Sequence, residues 1–472
     1  MRSLLRALKP YFRTVRLRPM HRRLFLQSLA AAPLAFAADT PRPNIVFIYA
    51  DDMGFGDLHI YGSDLKTPNI DRLAGEGMRF TNWISANPVC SPSRAALLTG
   101  RYPTRVGVPR VLFPTDKTGL NLDEQTLPDL LKSRGYRTQC IGKWHLGSAP
   151  DYLPTKRGFD HYLGIPYSND MSPRLLLRDT SVVDSETDLN SLTRKYTEEA
   201  VKFIRDARGA PLYLYFAHTF PHIPLGASER FRGKSPHGIY GDVLEELDWS
   251  VGEVLSALRE TGAINNTLVM FSSDNGPWHQ GSAGPLRGRK GETWEGGVRE
   301  PFIAWMGLIP KSRTSNAVGS MLDVVPTVVK LCGAPMPTKP LDGLNVWNLW
   351  TGKVNQLERD PLLYFDDVHL QCARQGRWKL HLTRYNAKAY SPRPPEGLQN
   401  LLLPSPELYD LDTDPNESYD VAELHRDVIE RMRARIEEMM KTFPPSIQDD
   451  WKLTKIRKVS PTPAGALPRS ID

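Results

Sequence analysis

Short apolar runs alternate with longer amphipathic stretches along the chain, and this alternation most constrains how it can fold. Five runs have the length and composition of buried strands: 44–49, 136–141, 212–217, 268–272 and 302–305. Three stretches space their apolar residues as helices do: 126–134, 191–205 and 240–260. Strands separated by helices are typical of α/β proteins. We therefore predict a large, mostly parallel or mixed β-sheet sandwiched by helices.

Polar groups follow four of these runs closely. Asp51, Lys143, His218 and Asp274 each stand one or two residues beyond the end of a run. Ligands of open α/β sheets bind outside the carboxyl ends of the strands. The sequence therefore predicts a functional site at that edge of the sheet.

A cysteine-centred segment lies between the first two runs. Ser91 is a candidate N-cap, and residues 93–99 are predicted to form a short helix that ends at Gly100. We expect Cys90 at the exposed start of this helix, outside the core, where free N–H groups favour an anion. Arg94, one turn further on, would hold either the side chain of residue 90 or that anion through charge-assisted hydrogen bonds.

The pattern Cys90-x-Pro92-x-Arg94, followed by Leu97 and residues 99–101, resembles the signature of type I sulfatases of the alkaline phosphatase superfamily. In that family the cysteine is oxidised to Cα-formylglycine, whose hydrate supplies a hydroxyl nucleophile that no encoded side chain offers. The alternative is a buried structural cysteine, but further motifs follow in the family's order. The resemblance spans about 43–417 and is strongest to arylsulfatase A and its relatives.

Two pairs of residues with side-chain oxygens, Asp51-Asp52 and Asp274-Asn275, follow the first and fourth runs. We call them the acidic pairs, although Asn275 is neutral. Their oxygen atoms suit a hard divalent cation. Taken singly, the first pair is commonly a solvated loop, and Asp-Asn-Gly is commonly a turn. Together they resemble the sulfatase metal site. The resemblance implies that Asp51, Asp52, Asp274 and Asn275, with residue 90, bind calcium, and magnesium is the alternative.

Further positions match sulfatase motifs, namely Lys143, His145, His222 and Lys290. The resemblance implies that His145 is a general base and that Lys143 clamps the sulfate. Lys290 would neutralise the sulfate or, like His222, protonate the leaving oxygen. On an extended segment Lys143 and His145 would share a face, because they are two residues apart. His218 has no clear counterpart, so we expect a structural role for it.

Ser168 corresponds to a substrate-side residue of the arylsulfatase A group. The chain then departs from the family, because Asn169-Asp170 replaces the expected His-Asp. The segments 115–119 and 391–404 are also individual, and we expect such loops to determine the choice of substrate. The sequence leaves open which sulfated small molecule or carbohydrate is bound.

A smaller α+β unit with an antiparallel sheet is predicted at 353–458, after a catalytic domain at 38–352 and before a mobile tail at 459–472. Its predicted strands are 364–365, 378–382 and 408–411, and its predicted helix carries an apolar stripe of Leu424, Val428, Met432, Ile436 and Met440. Helical spacing of that kind indicates core packing.

The first 37 residues resemble an export signal. These residues include eight Lys or Arg and no acidic residue. The whole chain has a formal charge of +7, so the residues after position 37 carry a net charge of −1. The positive charge of the chain therefore belongs to this leader and is no argument for nucleic-acid binding, which we do not expect. Arg22-Arg23 resembles a twin-arginine motif, an apolar run follows, and 35–37 form a small-x-small cleavage site. We expect a periplasmic or secreted protein, with Met20 as an alternative start and a Sec signal as an alternative route.

Other bulk features exclude several classes. No stretch is long and apolar enough to span a membrane, and four cysteines are too few for a disulfide scaffold. The predicted activity is hydrolysis of sulfate monoesters after maturation by a formylglycine-generating enzyme. Two alternatives stay open: a phosphomonoester or phosphonate monoester hydrolase of the same superfamily, and a non-catalytic protein that binds sulfated glycans.

Overall fold

The computed structural model of the protein describes residues 42–384 and 401–456. The predicted leader at 1–37, the predicted tail at 459–472 and part of the individual loop at 391–404 lie outside these residues. Eleven described strands form one large sheet: β1 (Asn44–Ala50), β2 (Met78–Ile84), β3 (Arg137–Gly142), β4 (His161–Gly164), β5 (Leu176–Arg178), β6 (Ser181–Asp184), β7 (Leu212–Ala217), β8 (Thr267–Ser273), β9 (Arg299–Trp305), β10 (Arg313–Ser315) and β11 (Gly319–Ser320).

The large sheet is mixed. Its order is β10-β2-β9-β8-β1-β7-β3-β4-β5-β6, with β11 beside β2. The central strands β8, β1, β7, β3 and β4 run parallel to one another. β9 is antiparallel to both β8 and β2, and β5 is antiparallel to β4 and β6. The predicted mostly parallel or mixed sheet is confirmed.

Helices cover both faces of this sheet. The described helices are α1 (Pro68–Glu76), α2 (Cys90–Thr99), α3 (Leu127–Lys132), α4 (Leu192–Asp206), α5 (Gly238–Glu260), α6 (Glu295–Val298), α7 (Val324–Leu331), α8 (Trp347–Trp350), α9 (Arg426–Met440) and α10 (Pro445–Ile456). Successive residues of β1 face opposite sides, so Phe47 packs in the core with α2, α3 and α7, and Ile48 packs with α4 and α5.

A second sheet of four antiparallel strands follows in the order β12 (Leu362–Asp366), β13 (His369–Gln375), β14 (Trp378–Arg384) and β15 (Leu401–Asp410). Val428, Met432, Ile436 and Met440 of α9 are buried in its core, as predicted. Leu424 is not part of this stripe. It precedes α9 and is 77% exposed.

All five predicted strand runs are strands, namely β1, β3, β7, β8 and β9, and the three predicted helices are α3, α4 and α5. Strand β2 was not predicted, because its residues MRFTNWI mix polar and apolar side chains. The four cysteines are free and buried, including Cys90, which was expected to lie outside the core. None of the described helices is long and apolar enough to cross a membrane.

Candidate active site

Strand register brings the predicted polar groups together at one edge of the sheet. Ala50 pairs with Ser273 at the ends of β1 and β8, so Asp51 and Asp274 emerge side by side. On the other side of β1, Gly142 pairs with Ala217 at the ends of β3 and β7. Lys143 follows Gly142 directly, and its backbone N–H donates to the carbonyl of Ala217 at 2.8 Å.

The nucleophile segment differs from its prediction in two respects. Helix α2 begins at Cys90, with Val89 as the N-cap, so Ser91 is not the cap. The Ser91 hydroxyl instead accepts a hydrogen bond from the backbone N–H of Leu112 at 3.1 Å. The helix is not exposed, because all ten of its residues are buried and Cys90 is 2% exposed. Its predicted end is confirmed by Gly100 in the left-handed region.

Cys90 points at the first acidic pair. Its Sγ lies 3.5 Å from Asp51 Oδ1 and 3.9 Å from Asp52 Oδ1. Burial raises the pKa of the Cys90 thiol well above its ordinary value. The unmodified residue is therefore a protonated thiol and a poor nucleophile at neutral pH.

The guanidinium of Arg94 contacts one carboxylate from each acidic pair, Asp51 and Asp274. Its Nε and Nη2 donate to Asp274 Oδ2 at 3.0 and 2.8 Å, and its Nη1 donates to the carbonyl of Lys143 at 2.9 Å. Its Nη2 is also 3.5 Å from Asp51 Oδ1. Arg94 thus fixes carboxylates from two neighbouring strands rather than standing free for an anion.

The acidic groups have the chemistry of a cation site. Carboxylate oxygens of Asp51 and Asp274 cluster with Cys90 Sγ within 4.8 Å of one another. Burial and the nearby Asp51 raise the pKa of Asp274 to about 7. Asn275 Oδ1 is buried and has no hydrogen-bond partner among the described residues, while its Nδ2 donates to Asp52 Oδ1 at 2.8 Å. A buried amide oxygen without a hydrogen-bond partner among the described residues, next to several carboxylates, is the set of ligands expected for a hard divalent cation.

The backbone at Asp52 supports the same interpretation. Its φ of 65° lies in the left-handed region, which is uncommon for a residue with a side chain. Such conformations concentrate at functional sites, where the surrounding structure holds them. Here Asp274 Oδ1 accepts the backbone N–H of Asp52 at 3.1 Å, so the two acidic pairs fix each other.

Two lysines form ion pairs with the carboxylates of the first acidic pair. Lys143 Nζ donates to Asp51 Oδ2 at 2.5 Å and to Ser168 Oγ at 3.1 Å, and Lys290 Nζ donates to Asp52 Oδ2 at 2.8 Å. Burial alone would raise the pKa of Asp51, but Lys143 and other nearby cationic groups hold it well below its usual range. The structure therefore gathers Asp51, Asp52, Lys143, Ser168 and Lys290 into one buried cluster.

His145 lies in the same pocket, but its chain segment is not extended as predicted. Its φ is 61°, and its Nε2 lies 2.9 Å from the carbonyl of Leu112. Nδ1 is buried and has no hydrogen-bond partner within the described part of the chain. Burial and the nearby Lys143 hold the pKa of His145 well below its ordinary value, so the ring is neutral.

The other two histidines, His222 and His218, lie in different surroundings. His222 Nε2 lies 3.4 Å from Ser168 Oγ and 3.7 Å from Asp52 Oδ2, and burial lowers its pKa. His218 packs away from this group, with its Nε2 at 3.5 Å from Ser250 Oγ of α5. The structure thus brings His222, but not His218, to the acidic pairs.

A second buried ionic cluster, which we call the Glu295 network, was not predicted from the sequence. Glu295 accepts from Arg374 Nη1 at 2.6 Å and Lys379 Nζ at 3.1 Å, while Glu417 lies 2.9 Å from His381 Nε2 and accepts the backbone N–H of Glu295 at 2.6 Å. It joins the loop that carries Lys290 to the second sheet. Single charges on separate strands normally indicate solvated faces, so no local pattern could have revealed it.

Comparison with known proteins agrees with this architecture. The family model "Sulfatase" matches residues 43–334, and the model "C-terminal region of aryl-sulfatase" matches 357–463. Human arylsulfatase A is 38% identical over 84% of this chain and 86% of its own length. N-acetylgalactosamine-6-sulfatase of the dog is 40% identical over 75% of this chain and 74% of its own.

Solved structures extend the comparison. The PsFucS1 sulfatase from Pseudoalteromonas sp. superposes with a TM-score of 0.77 at 30% identity, covering 86% of this chain and 92% of its own. The phosphonate monoester hydrolase of Agrobacterium radiobacter shares the fold alone, with a TM-score of 0.59 at 19% identity, covering 86% of this chain and 96% of its own.

Fold and site together define a hydrolase of the alkaline phosphatase superfamily with an oxygen-rich site at the strand ends. The chain belongs to the sulfatase family, since the family model covers more than half of it and two relatives are 40% and 38% identical over 74% and 86% of their own length. It is a sulfuric ester hydrolase, and it resembles both arylsulfatase A and N-acetylgalactosamine-6-sulfatase.

Proposed function

We propose that Cys90, oxidised to formylglycine, is the nucleophile of this sulfatase, next to a divalent cation. Calcium is the preferred ion and magnesium the alternative. The ligands would be Asp51, Asp52, Asp274, Asn275 and residue 90. The observation that supports this most is the position of Cys90 Sγ, within 3.9 Å of both Asp51 and Asp52 at the end of β1.

The divalent cation and the formylglycine would each have a defined role in the reaction. A cation held there would bind sulfate oxygens and neutralise their charge. Hydrated formylglycine would supply one hydroxyl to attack sulfur and a second that lets the aldehyde form again as sulfate leaves. Serine would not serve, because its sulfate ester has no second hydroxyl.

The chain's own residues then bind the sulfate group and move protons. Lys143 and Lys290 neutralise its negative charge electrostatically. His145 takes a proton at Nδ1, the ring nitrogen without a partner among the described residues. Lys290 or His222, both beside Asp52, protonates the leaving oxygen, and Ser168 orients the group from the Lys143 side. Arg94 keeps Asp51 and Asp274 in position.

The substrate that we propose is a sulfated small molecule or carbohydrate. One structural relative, Ps i-CgsB, is described in complex with k-i-k-neocarrahexaose, a carbohydrate. Maturation requires a formylglycine-generating enzyme. We further propose export by the twin-arginine route to the periplasm or outside the cell. Replacement of Arg22 and Arg23 by lysine should block that export, and normal export of this variant would exclude the route.

Mass spectrometry of the peptide that contains Cys90 tests the nucleophile, because oxidation of the thiol to an aldehyde lowers the peptide mass. Turnover of an aryl sulfate and an aryl phosphate should be measured on the same preparation. We expect the modified peptide and a preference for the sulfate. A preference for phosphate would favour the phosphomonoester or phosphonate alternative, and an unmodified, inactive protein would favour glycan binding.

A further inference from the structure

Arg289 stands next to Lys290 on a loop that lies between two parts of the active site. The backbone N–H of Lys290 donates to the carbonyl of Pro277, two residues beyond Asn275, at 3.1 Å. The N–H of Gly291 donates to the carbonyl of Pro88, two residues before Cys90, at 2.8 Å. The loop therefore holds Arg289 at a fixed place beside the site.

Among the described residues, 42–384 and 401–456, none offers a carboxylate to the guanidinium of Arg289. Its Nη1 lies 3.4 Å from the carbonyl of Trp278 and 3.4 Å from His279 Nδ1, and both contacts are long. Within the described residues it makes no ion pair. The carboxylate of Glu292 accepts the backbone N–H of Arg289 at 3.0 Å instead. Arg289 is nevertheless only partly exposed.

Other arginines around the site are satisfied, which makes Arg289 distinctive. Arg94 is paired with Asp274, and Arg110 with Asp116 at 2.8 Å. Arg287 stacks over Trp294 at 3.8 Å and donates to the carbonyl of Glu417 at 2.8 Å. A partly desolvated guanidinium held by weak neutral contacts is suited to receive a carboxylate or sulfate through its planar donors.

Two aromatic side chains lie next to the guanidinium of Arg289. Trp278 is partly exposed and His279 is exposed, and their rings meet edge to face with centroids 4.6 Å apart. Such side chains offer an apolar face with a polar edge, which suits a ring that carries both apolar and polar groups. An anion bound at Arg289 would lie beside the same aromatic pair.

We propose that Arg289 binds an anionic substituent, a carboxylate or a second sulfate, on the leaving group of the substrate, with Trp278 and His279 as the wall of that subsite. This inference rests on the proposed function and narrows its substrate class. The substrate is an acidic sulfated carbohydrate, in which an oxyanion stands near the ester that is cleaved.

The test compares an N-acetylhexosamine monosulfate with its disulfated counterpart and with a monosulfated disaccharide that contains a hexuronic acid. We expect higher kcat/KM for one of the two anion-bearing substrates, and which one identifies the anion. Arg289→Gln should lower kcat/KM for that substrate by about 10- to 100-fold, at least tenfold more than for the monosulfate. Arg289→Lys should be intermediate, since it keeps charge without the planar fork.

Arg110→Gln is the matched control, because its guanidinium is already paired with Asp116. Binding should also be measured by calorimetry in the Cys90→Ala background, where the anion-bearing sugar should lose affinity when Arg289→Gln is added. Equal losses on all substrates, or the same selective loss in Arg110→Gln, would overturn the inference. Hydrolysis of no sulfate by the wild type would instead overturn the proposed function.

Discussion

The active site and the Glu295 network are both buried ionic clusters, yet the pKa values of Asp274 in the first and Glu295 in the second are shifted in opposite directions. Burial and the nearby Asp51 raise the pKa of Asp274 to about 7. Burial would also raise the pKa of Glu295, but Arg374 and Lys379 lower it to about 2. Both side chains are 0% exposed, so the arrangement of partners accounts for the difference.

The two clusters also differ in how fully their polar atoms are used. In the network, Lys379 Nζ contacts the carbonyl of Thr293 and the carboxylates of Glu295 and Glu417. In the active site, Asn275 Oδ1 and His145 Nδ1 have no partner among the described residues. A satisfied cluster supports the fold, whereas unused bonding capacity in a buried site indicates where a ligand binds. Substitutions in the two clusters should therefore have different consequences.

Cys90→Ala should have the largest effect, because it removes the proposed nucleophile. We expect turnover of an aryl sulfate to fall by about 10⁴- to 10⁶-fold, while the circular dichroism spectrum stays that of the wild type. Cys140→Ala is the matched control, since Cys140 is a buried thiol in β3 without a proposed catalytic role. Sustained turnover by Cys90→Ala would refute the mechanism.

Asp274→Ala should remove the cation and the activity together. The remaining ligands Asp51, Asp52 and Asn275 supply too few oxygens for tight binding, so we expect less than about one tenth of the wild-type metal content. Elemental analysis of the purified proteins measures this directly. Asp57→Asn is the control, because Asp57 is buried nearby but is bonded to Tyr240 and to backbone N–H groups. Full activity after chelation, without divalent metal, would contradict the proposed site.

Glu295→Gln should act on stability rather than on the cation. It leaves Arg374 and Lys379 buried with one carboxylate fewer, which costs on the order of 3–5 kcal/mol in the free energy of unfolding. Urea denaturation would measure the loss, and the metal content of the folded protein should not change.

The control for this variant lies at the surface, in the turn between β13 and β14. Arg377 pairs with Asp410 while its side chain is 43% exposed. Arg377→Gln should therefore lower the free energy of unfolding much less than Glu295→Gln does. If the two variants lost similar stability, burial would not explain the strength of the Glu295 network.

Acid should weaken the network through Glu295. Its pKa is lowered from 4.5 to about 2, so its stabilising contribution is present above pH 4.5 and is lost as the pH falls toward 2. The contribution is on the order of 3 kcal/mol. In Glu295→Gln this part of the pH dependence should disappear, which denaturation at several pH values would reveal. If the free energy of unfolding of Glu295→Gln fell with acid as steeply as that of the wild type, Glu295 would not be the group responsible.

The central sheet and its strand ends could be predicted because apolar runs are local features. Asp51 and Asp274 follow β1 and β8 directly, so their meeting depends only on the parallel pairing of those strands. The burial of α2 could not be predicted in this way. Its ten residues include polar side chains such as Ser91 and Ser93, yet tertiary packing encloses every one of them. Glu295 and Glu417, which are in contact, are 122 residues apart in the chain.

The enclosure of α2 sets an order of events in the life of the protein. Cys90 is 2% exposed, and the residues on either side of it are held by the loop at Gly291 and by Leu112. A modifying enzyme that grips the segment around Cys90 could not reach it in the finished structure. The proposed oxidation of Cys90 would therefore have to come before the sheet and its helices close, and the rate of folding would limit the time available for it.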